Sequence, residues 1–167
     1  STPAARTGSD AMPPAPMTLL SLAAGVLPEL APVEVVRVAA AAGFGGAGIW
    51  FDAGTWTDRT TREVAAALDD TGLVALDMEA LFVTPDGDNG DRLIDAAAEL
   101  GARNVLAINR GVEGGPFSER LAELCRRAQP AGIAVCLEFT RLFTVADLPT
   151  AVAAVGGALV VLGIAGQ

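Results

Sequence analysis

Short apolar runs alternate with longer amphipathic stretches along most of the chain. The runs are Thr18–Ala23, Ala47–Phe51, Leu73–Met78, Asn104–Ile108, Ile133–Leu137 and Ala158–Leu162, and their starts lie 29, 26, 31, 29 and 25 residues apart. The stretches between them carry apolar residues at helical period: Val35, Val38, Ala39 and Ala42; then Val64, Ala67 and Leu68; then Leu93, Ile94, Ala97 and Leu100; then Phe117, Leu121, Leu124 and Ala128. Gly43, Gly72, Gly101, Gly132 and Gly156 follow these stretches, where a helix ending in a left-handed residue wants no Cβ. Helix starts are marked by Pro32, by Thr60-Thr61-Arg62-Glu63 as a capping-box candidate, and by Pro116 or Ser118. Strand and helix alternating through short links predict parallel strands with right-handed crossovers. The expectation is an α/β fold of six parallel strands and five helices.

Two architectures use such a repeat. A doubly wound sheet binds a nucleotide at a Gly-rich loop after its first strand. Here that loop reads Ala24-Gly25-Val26-Leu27-Pro28, which is no phosphate cradle. Gly43-Phe44-Gly45-Gly46-Ala47-Gly48 has the letters of a dinucleotide fingerprint, but it precedes a strand instead of following one. The alternative is a (β/α)8 TIM barrel, left incomplete by six strands. Polar residues at the strand ends favour the partial barrel.

Those ends read Trp50-Phe51-Asp52, Asp77-Met78-Glu79, Ile108-Asn109-Arg110 and Leu137-Glu138-Phe139. In a barrel they share one mouth, where active sites are built. Alternation puts Glu79 on one strand face with Asp77 and Ala75, and Glu138 with Cys136 and Ala134. A carboxylate interrupting an apolar strand costs free energy to bury unless it is paired or metal-bound. Glu138 is the sharpest case, with Glu79 next; the bland reading pairs Glu138 with Arg141 or Arg110.

Composition narrows the chemistry. The chain has 167 residues, a net charge of -9 and no His; all 11 basic residues are Arg. A Ser-His-Asp or Cys-His triad, a Schiff-base Lys, a Walker-type loop and a His-containing zinc site are all excluded within these residues. The acidic balance and scattered Arg argue against nucleic acid, and no apolar run reaches the roughly 18 residues of a membrane span. Cys125 and Cys136 show neither metal nor paired-motif spacing, which suggests buried thiols in a reducing cytosol. Residues 1–16, rich in Pro, Ala and Ser, lack the apolar stretch of a signal peptide and read as a disordered leader or artificial remnant. Residues 17–167 form a single, incomplete barrel domain in this reading.

Several segments resemble, in order, the sugar phosphate isomerase/epimerase family, the xylose isomerase-like TIM barrels related to endonuclease IV. They are Ala41-Ala42-Gly43-Phe44-Gly45-Gly46; Leu68 to Leu73 followed by Asp77-Met78-Glu79; Ala97 to Arg103; and Leu124 to Ala128 leading through Gly132 to Leu137-Glu138-Phe139. The resemblance implies a divalent cation (manganese, magnesium or zinc) at the barrel mouth, with Glu138 as a metal-binding Glu that also moves a proton beside a carbonyl or hydroxyl. Glu79 is read with Glu138 as catalytic, and Asp52, Asn109 and Arg141, at or just after the strand ends, as substrate-binding. The resemblance departs at the sixth run, Ala158 to Gln167, which has no Asp or His, and two further strands are wanting. The function expected is isomerisation or epimerisation of a small sugar-like substrate. Alternatives are a lyase or dehydratase of the same fold, or a non-catalytic, self-associating remnant. An apolar, uncharged sixth strand left as an open edge predicts a homodimer.

Overall fold

The computed structural model describes residues 18–161. Its order is β1 (Ser21–Leu22), α1 (Pro32–Ala41), β2 (Gly46–Trp50), α2 (Asp58–Thr71), β3 (Val74–Thr84), β4 (Gly87–Asp88), α3 (Gly90–Glu99), β5 (Asn104–Asn109), α4 (Gly114–Ala128), β6 (Ala134–Glu138) and α5 (Leu148–Val161). Five strands run parallel in the order β1-β2-β3-β5-β6, and the sixth, β4, joins the same sheet paired antiparallel to the end of β3. This is a partial TIM barrel with five helices.

Helix boundaries follow local chemistry. Pro32 opens α1, and Thr57 caps α2 by accepting from the Thr60 amide at 3.2 Å. The capping residue therefore lies three positions before the Thr60-to-Glu63 candidate. Gly72 and Gly132 carry φ of 70° and 69°, the left-handed exits that an Ala would resist. On the helix-facing side of the sheet, Ala47, Ile49, Phe51, Met78, Leu81, Val105 and Ala107 are buried with Val36, Val64, Leu93, Ile94, Phe117 and Leu124 from the helices.

One predicted strand is a helix. The run beginning at Ala158 belongs to α5 through Val161, and Leu162 onward lies outside the described residues, as does the leader 1–16. The sixth strand is instead the short β4. The Gly156-Gly157 pair looked like a helix stop; it is a close packing point inside α5. A Cβ on Gly157 would sit 2.7 Å from Ser118 Oγ, and that hydroxyl donates to the carbonyls of Gly114 and Ala154, each at 3.0 Å. Asp147, accepting from the Thr150 amide at 2.8 Å, supports the start of α5. The open edge expected at Ala158 to Ile164 therefore falls on β6.

Strand β3 carries two irregularities that decide where its side chains point. Ala75 pairs with Ala47 but Asp77 pairs with Gly48, so Leu76 is an extra residue relative to β2. Opposite β5, Met78 pairs with Val105 and Leu81 with Ala107, so one residue of Glu79-Ala80 is extra there. Bulges of this kind leave backbone groups unpaired. Asn89 answers the second one: its Oδ1 accepts from the Phe82 amide and its Nδ2 donates to the Ala80 carbonyl, both at 2.9 Å. The adjoining Asp88 is held by Arg120 through Nε and Nη2 at 2.5 and 2.8 Å.

Gly48 tests this arrangement directly. A Cβ there would lie 2.6 Å from the Ala24 amide nitrogen and 2.8 Å from Asp77 Oδ2. Gly48→Ala is expected to destabilise the fold by about 1–3 kcal/mol, the usual cost of overpacking. Urea denaturation measures it, and an unchanged midpoint would contradict the register described.

Candidate active site

The face of the sheet away from the helices gathers the acidic side chains. Residues paired across strands point the same way. Trp50 pairs with Glu79, Gly48 with Asp77, Asp77 with Asn104, and Ile108 with Glu138. Asp77, Glu79, Cys136 and Glu138 thus share the inner face; Glu138 ends β6, while Glu79 sits midway along β3 beside Trp50, the last residue of β2.

The predicted grouping holds in part. Cys136 and Ala134 share the face of Glu138, both exposed, but Ala75 does not share the face of Asp77. The extra residue at Leu76 turns Ala75, 2% exposed, toward the helices. Cys136 is exposed instead of buried because alternation sends Val135 and Leu137 to the helix side; its Sγ lies 3.8 Å from Asn104 Oδ1. Cys125 is half-buried in α4.

Glu79 lies near enough to Asp77 and Glu138 to sense both charges. Burial pushes the Glu79 carboxyl up to about 7, and the charges of Asp77 and Glu138 push in the same direction. Burial also raises Asp77. Among the described residues no Arg forms an ion pair with any of the three, so neither Arg141 nor Arg110 neutralises Glu138. Glu79 is therefore a carboxyl balanced between its two protonation states near neutrality, as general acid–base chemistry requires.

The other predicted site residues are placed apart. Asn109 pairs with Val83 on the helix side and is 2% exposed; its amide donates to the Val112 carbonyl and accepts from the Val112 amide, both at 2.9 Å. It braces the β5–α4 loop and does not face the carboxylates, because it falls on the opposite phase from Ile108. Asp52 is exposed and accepts from the Gly54 amide at 2.8 Å, fixing the turn after β2. Arg141 is exposed in the β6–α5 loop. Two residues not singled out from the sequence stand at the mouth: Trp50, 45% exposed beside Glu79, and Arg110 after β5. Trp50 also lines an apolar cleft of about 300 Å³ with Ala24, Gly25, Leu27, Pro28 and Gly48. Its position on the Gly48 phase of β2 was the available clue.

A divalent cation does not fit these residues as they stand. Three or four ligands are needed to hold one firmly. Among the described residues no group of three or more His, Cys, Asp and Glu side chains is placed to hold an ion. Glu138 would be a single ligand. No described helix is long and apolar enough to cross a membrane.

No protein-family model matches the sequence, and no curated protein does. Solved structures do. A xylose isomerase-like TIM barrel/4-hydroxyphenylpyruvate dioxygenase fusion protein matches with a TM-score of 0.61 and 21% identity, over 83% of this chain and 24% of that one. The IolI protein, solved with a zinc atom, matches at 0.65 and 12% identity over 90% and 66%. D-psicose 3-epimerase, solved in the presence of D-fructose, matches at 0.62 and 12% over 83% and 59%. The chain spans less than two thirds of each of these proteins, and the shared property is the xylose isomerase-like TIM-barrel fold.

The raised Glu79 carboxyl has a consequence for stability. Its folded pKa of about 7 exceeds the ordinary 4.5, so the folded state holds a proton that the unfolded chain releases. Stability from this group is full below about pH 4.5 and is lost as pH rises toward 7. Glu79→Gln should therefore raise Tm at pH 8 and leave it nearly unchanged at pH 4. Discounted for its solvent-exposed half, the effect is roughly 1 kcal/mol, or about 2–4 °C. Calorimetry at the two pH values checks this, and an equal shift at both would contradict it.

Proposed function

We propose that the chain carries the proton-transfer part of an isomerase or epimerase acting on a small sugar-like substrate. The observation that supports it is Glu79, poised near neutrality beside Asp77 and Glu138 at the mouth of a partial barrel. Glu138 serves as the base that takes a proton from the carbon beside a carbonyl. Glu79, half protonated near pH 7, returns one to the neighbouring carbon or the opposite face. Two acid–base groups on one face of the sheet, with β5 between their strands, suit either outcome, and each contributes typically 10²–10⁴-fold. The cleft beside Trp50 gives apolar surface for the face of the substrate, and Asp52 lines a neighbouring cleft that shares Trp50 with it. A lyase or dehydratase would begin with the same proton abstraction. A manganese, magnesium or zinc ion would reach this chain through Glu138; its chemistry would be to polarise the substrate oxygens, and no step here depends on it.

Exchange of substrate C–H for deuterium tests the reading. In D₂O, a panel of small ketoses followed by NMR should show enzyme-dependent exchange at the carbon beside the carbonyl. Glu138→Gln should slow it about 100-fold or more. The wild-type rate should fall above pH 7 as Glu79 loses its proton, and Glu79→Gln should remove that limb. Exchange that survives both substitutions would refute the assignment.

A second reading, self-association with the cleft given up, is supported by the apolar surface near the β6 edge. Leu148, Val152 and Val155 form an exposed stripe on α5 at 58%, 62% and 39%, and Leu142 is 87% exposed. A homodimer covering this surface should appear by sedimentation at micromolar concentration and weaken in a Leu142→Asp, Val152→Asp double variant. A monomer would rule it out.

A further inference from the structure

The structure assigns Arg110 as the receptor for a carboxylate on the substrate, so that the molecule taken by this mouth is a sugar acid or a related hydroxy- or keto-acid. The inference rests on the proton-transfer reading above and names the substrate class that site would accept.

Arg110 is the first residue after β5, and its amide donates to the Val83 carbonyl at 2.8 Å. It lies two residues beyond Ile108, the partner of both Phe82 and Glu138 on the inner face. Its guanidinium carbon sits 3.8 Å from the Phe82 ring centroid and 5.9 Å from that of Phe143. Phe143 is placed by its neighbour Thr144, whose amide donates to the Asn109 carbonyl at 3.3 Å and whose hydroxyl accepts from the Gly111 amide at 2.6 Å. Two rings, from β3 and from the β6–α5 loop, thus flank one cation.

Stacking against a ring occupies the face of a guanidinium and leaves its in-plane N–H groups free. Arg110 is exposed, and no carboxylate among the described residues lies within ion-pair distance of it. What distinguishes Arg110 is that rings from two different elements fix its guanidinium. A planar carboxylate matches the free fork with two parallel hydrogen bonds. The nearby acidic cluster sets the charge limit. Asp77, Glu79 and Glu138 repel any anion, so a monoanion held by one Arg is tolerated better than a phosphate dianion, which carries about -1.5 to -2 and normally gathers several donors. The carboxylate end at Arg110 would also hold the substrate's other end toward Glu79 and Glu138, setting its orientation.

The Arg Nε–H NMR resonance of Arg110, assigned by its loss in Arg110→Lys, reports occupancy without reference to turnover. Acetate, inorganic phosphate, sodium chloride and glycerol are the probes. Acetate should shift the resonance saturably, phosphate should do so with lower affinity, and chloride and glycerol should leave it in place. Binding followed by the Thr144 and Gly111 backbone amides should weaken about tenfold or more in Arg110→Lys, with the remaining amide spectrum unchanged. Glu79→Gln should tighten acetate binding by removing negative charge. A shift with phosphate but not acetate, an equal response to chloride, or no saturation overturns the proposal. Because the readout is occupancy at Arg110, it stands or falls separately from deuterium exchange at the carboxylates.

Discussion

The site depends on the register of β3. An extra residue at Leu76 relative to β2 turns Ala75 into the helix layer and Asp77 inward; a second irregularity at Glu79-Ala80 returns Leu81 and Val83 to the core. A regular strand fixes every side chain once its phase is set, so it cannot do both. Without the first offset, Asp77 and Glu79 would meet Ile49 and Val64, where a carboxylate has no partner. The Asn89 amide satisfies the backbone groups the second offset frees, and the Arg120–Asp88 pair anchors the turn that presents Asn89. Residues with no contact to the mouth thereby determine what faces it.

That register brings like charges together where structural carboxylates would usually be paired. The stabilising ion pairs lie elsewhere: Arg120 holds Asp88 well below the usual carboxylate range, while Arg59–Glu63 and Arg127–Asp95 sit on exposed helix surfaces. Burial and the Asp77 and Glu138 charges act on Glu79 in the same direction, with no cation opposing them. Such a cluster costs stability at neutral pH. Holding it on rigid strands is the arrangement expected of acid–base work and not of a solvated loop end.

Much of this was legible in the sequence. The spacing of apolar runs and the glycines after helices specified the parallel α/β repeat, and alternation placed Glu138 with Cys136 and Ala134 correctly. The misreadings share one cause: tertiary contacts that local pattern does not encode. The offset at Leu76 depends on Gly48 of β2 and Ala24 of the turn after β1. Gly156-Gly157 imitates a helix stop, yet it serves the approach of α5 to Ser118. Asn109 looked like a strand-end ligand, but its phase on β5 and the Val112 loop turn it into a brace. Arg110 was legible only as a possible partner for Glu138, because its setting needs Phe82 and Phe143, 28 residues before it and 33 after.

The position of Glu79 links binding to its protonation. Its carboxyl is only partly buried, and burial is already the largest cause of its raised pKa. Any molecule closing over Trp50 and the mouth removes more water, and desolvation favours the neutral acid. An anion at Arg110 adds negative charge to a cluster that already opposes ionisation, which works in the same direction. Occupancy therefore raises the protonated fraction of Glu79, while Glu138 stands two strands away on the edge strand β6. In the proposed reaction Glu79 thus holds the proton it is to return as the substrate arrives, kept there by solvent exclusion and added negative charge together.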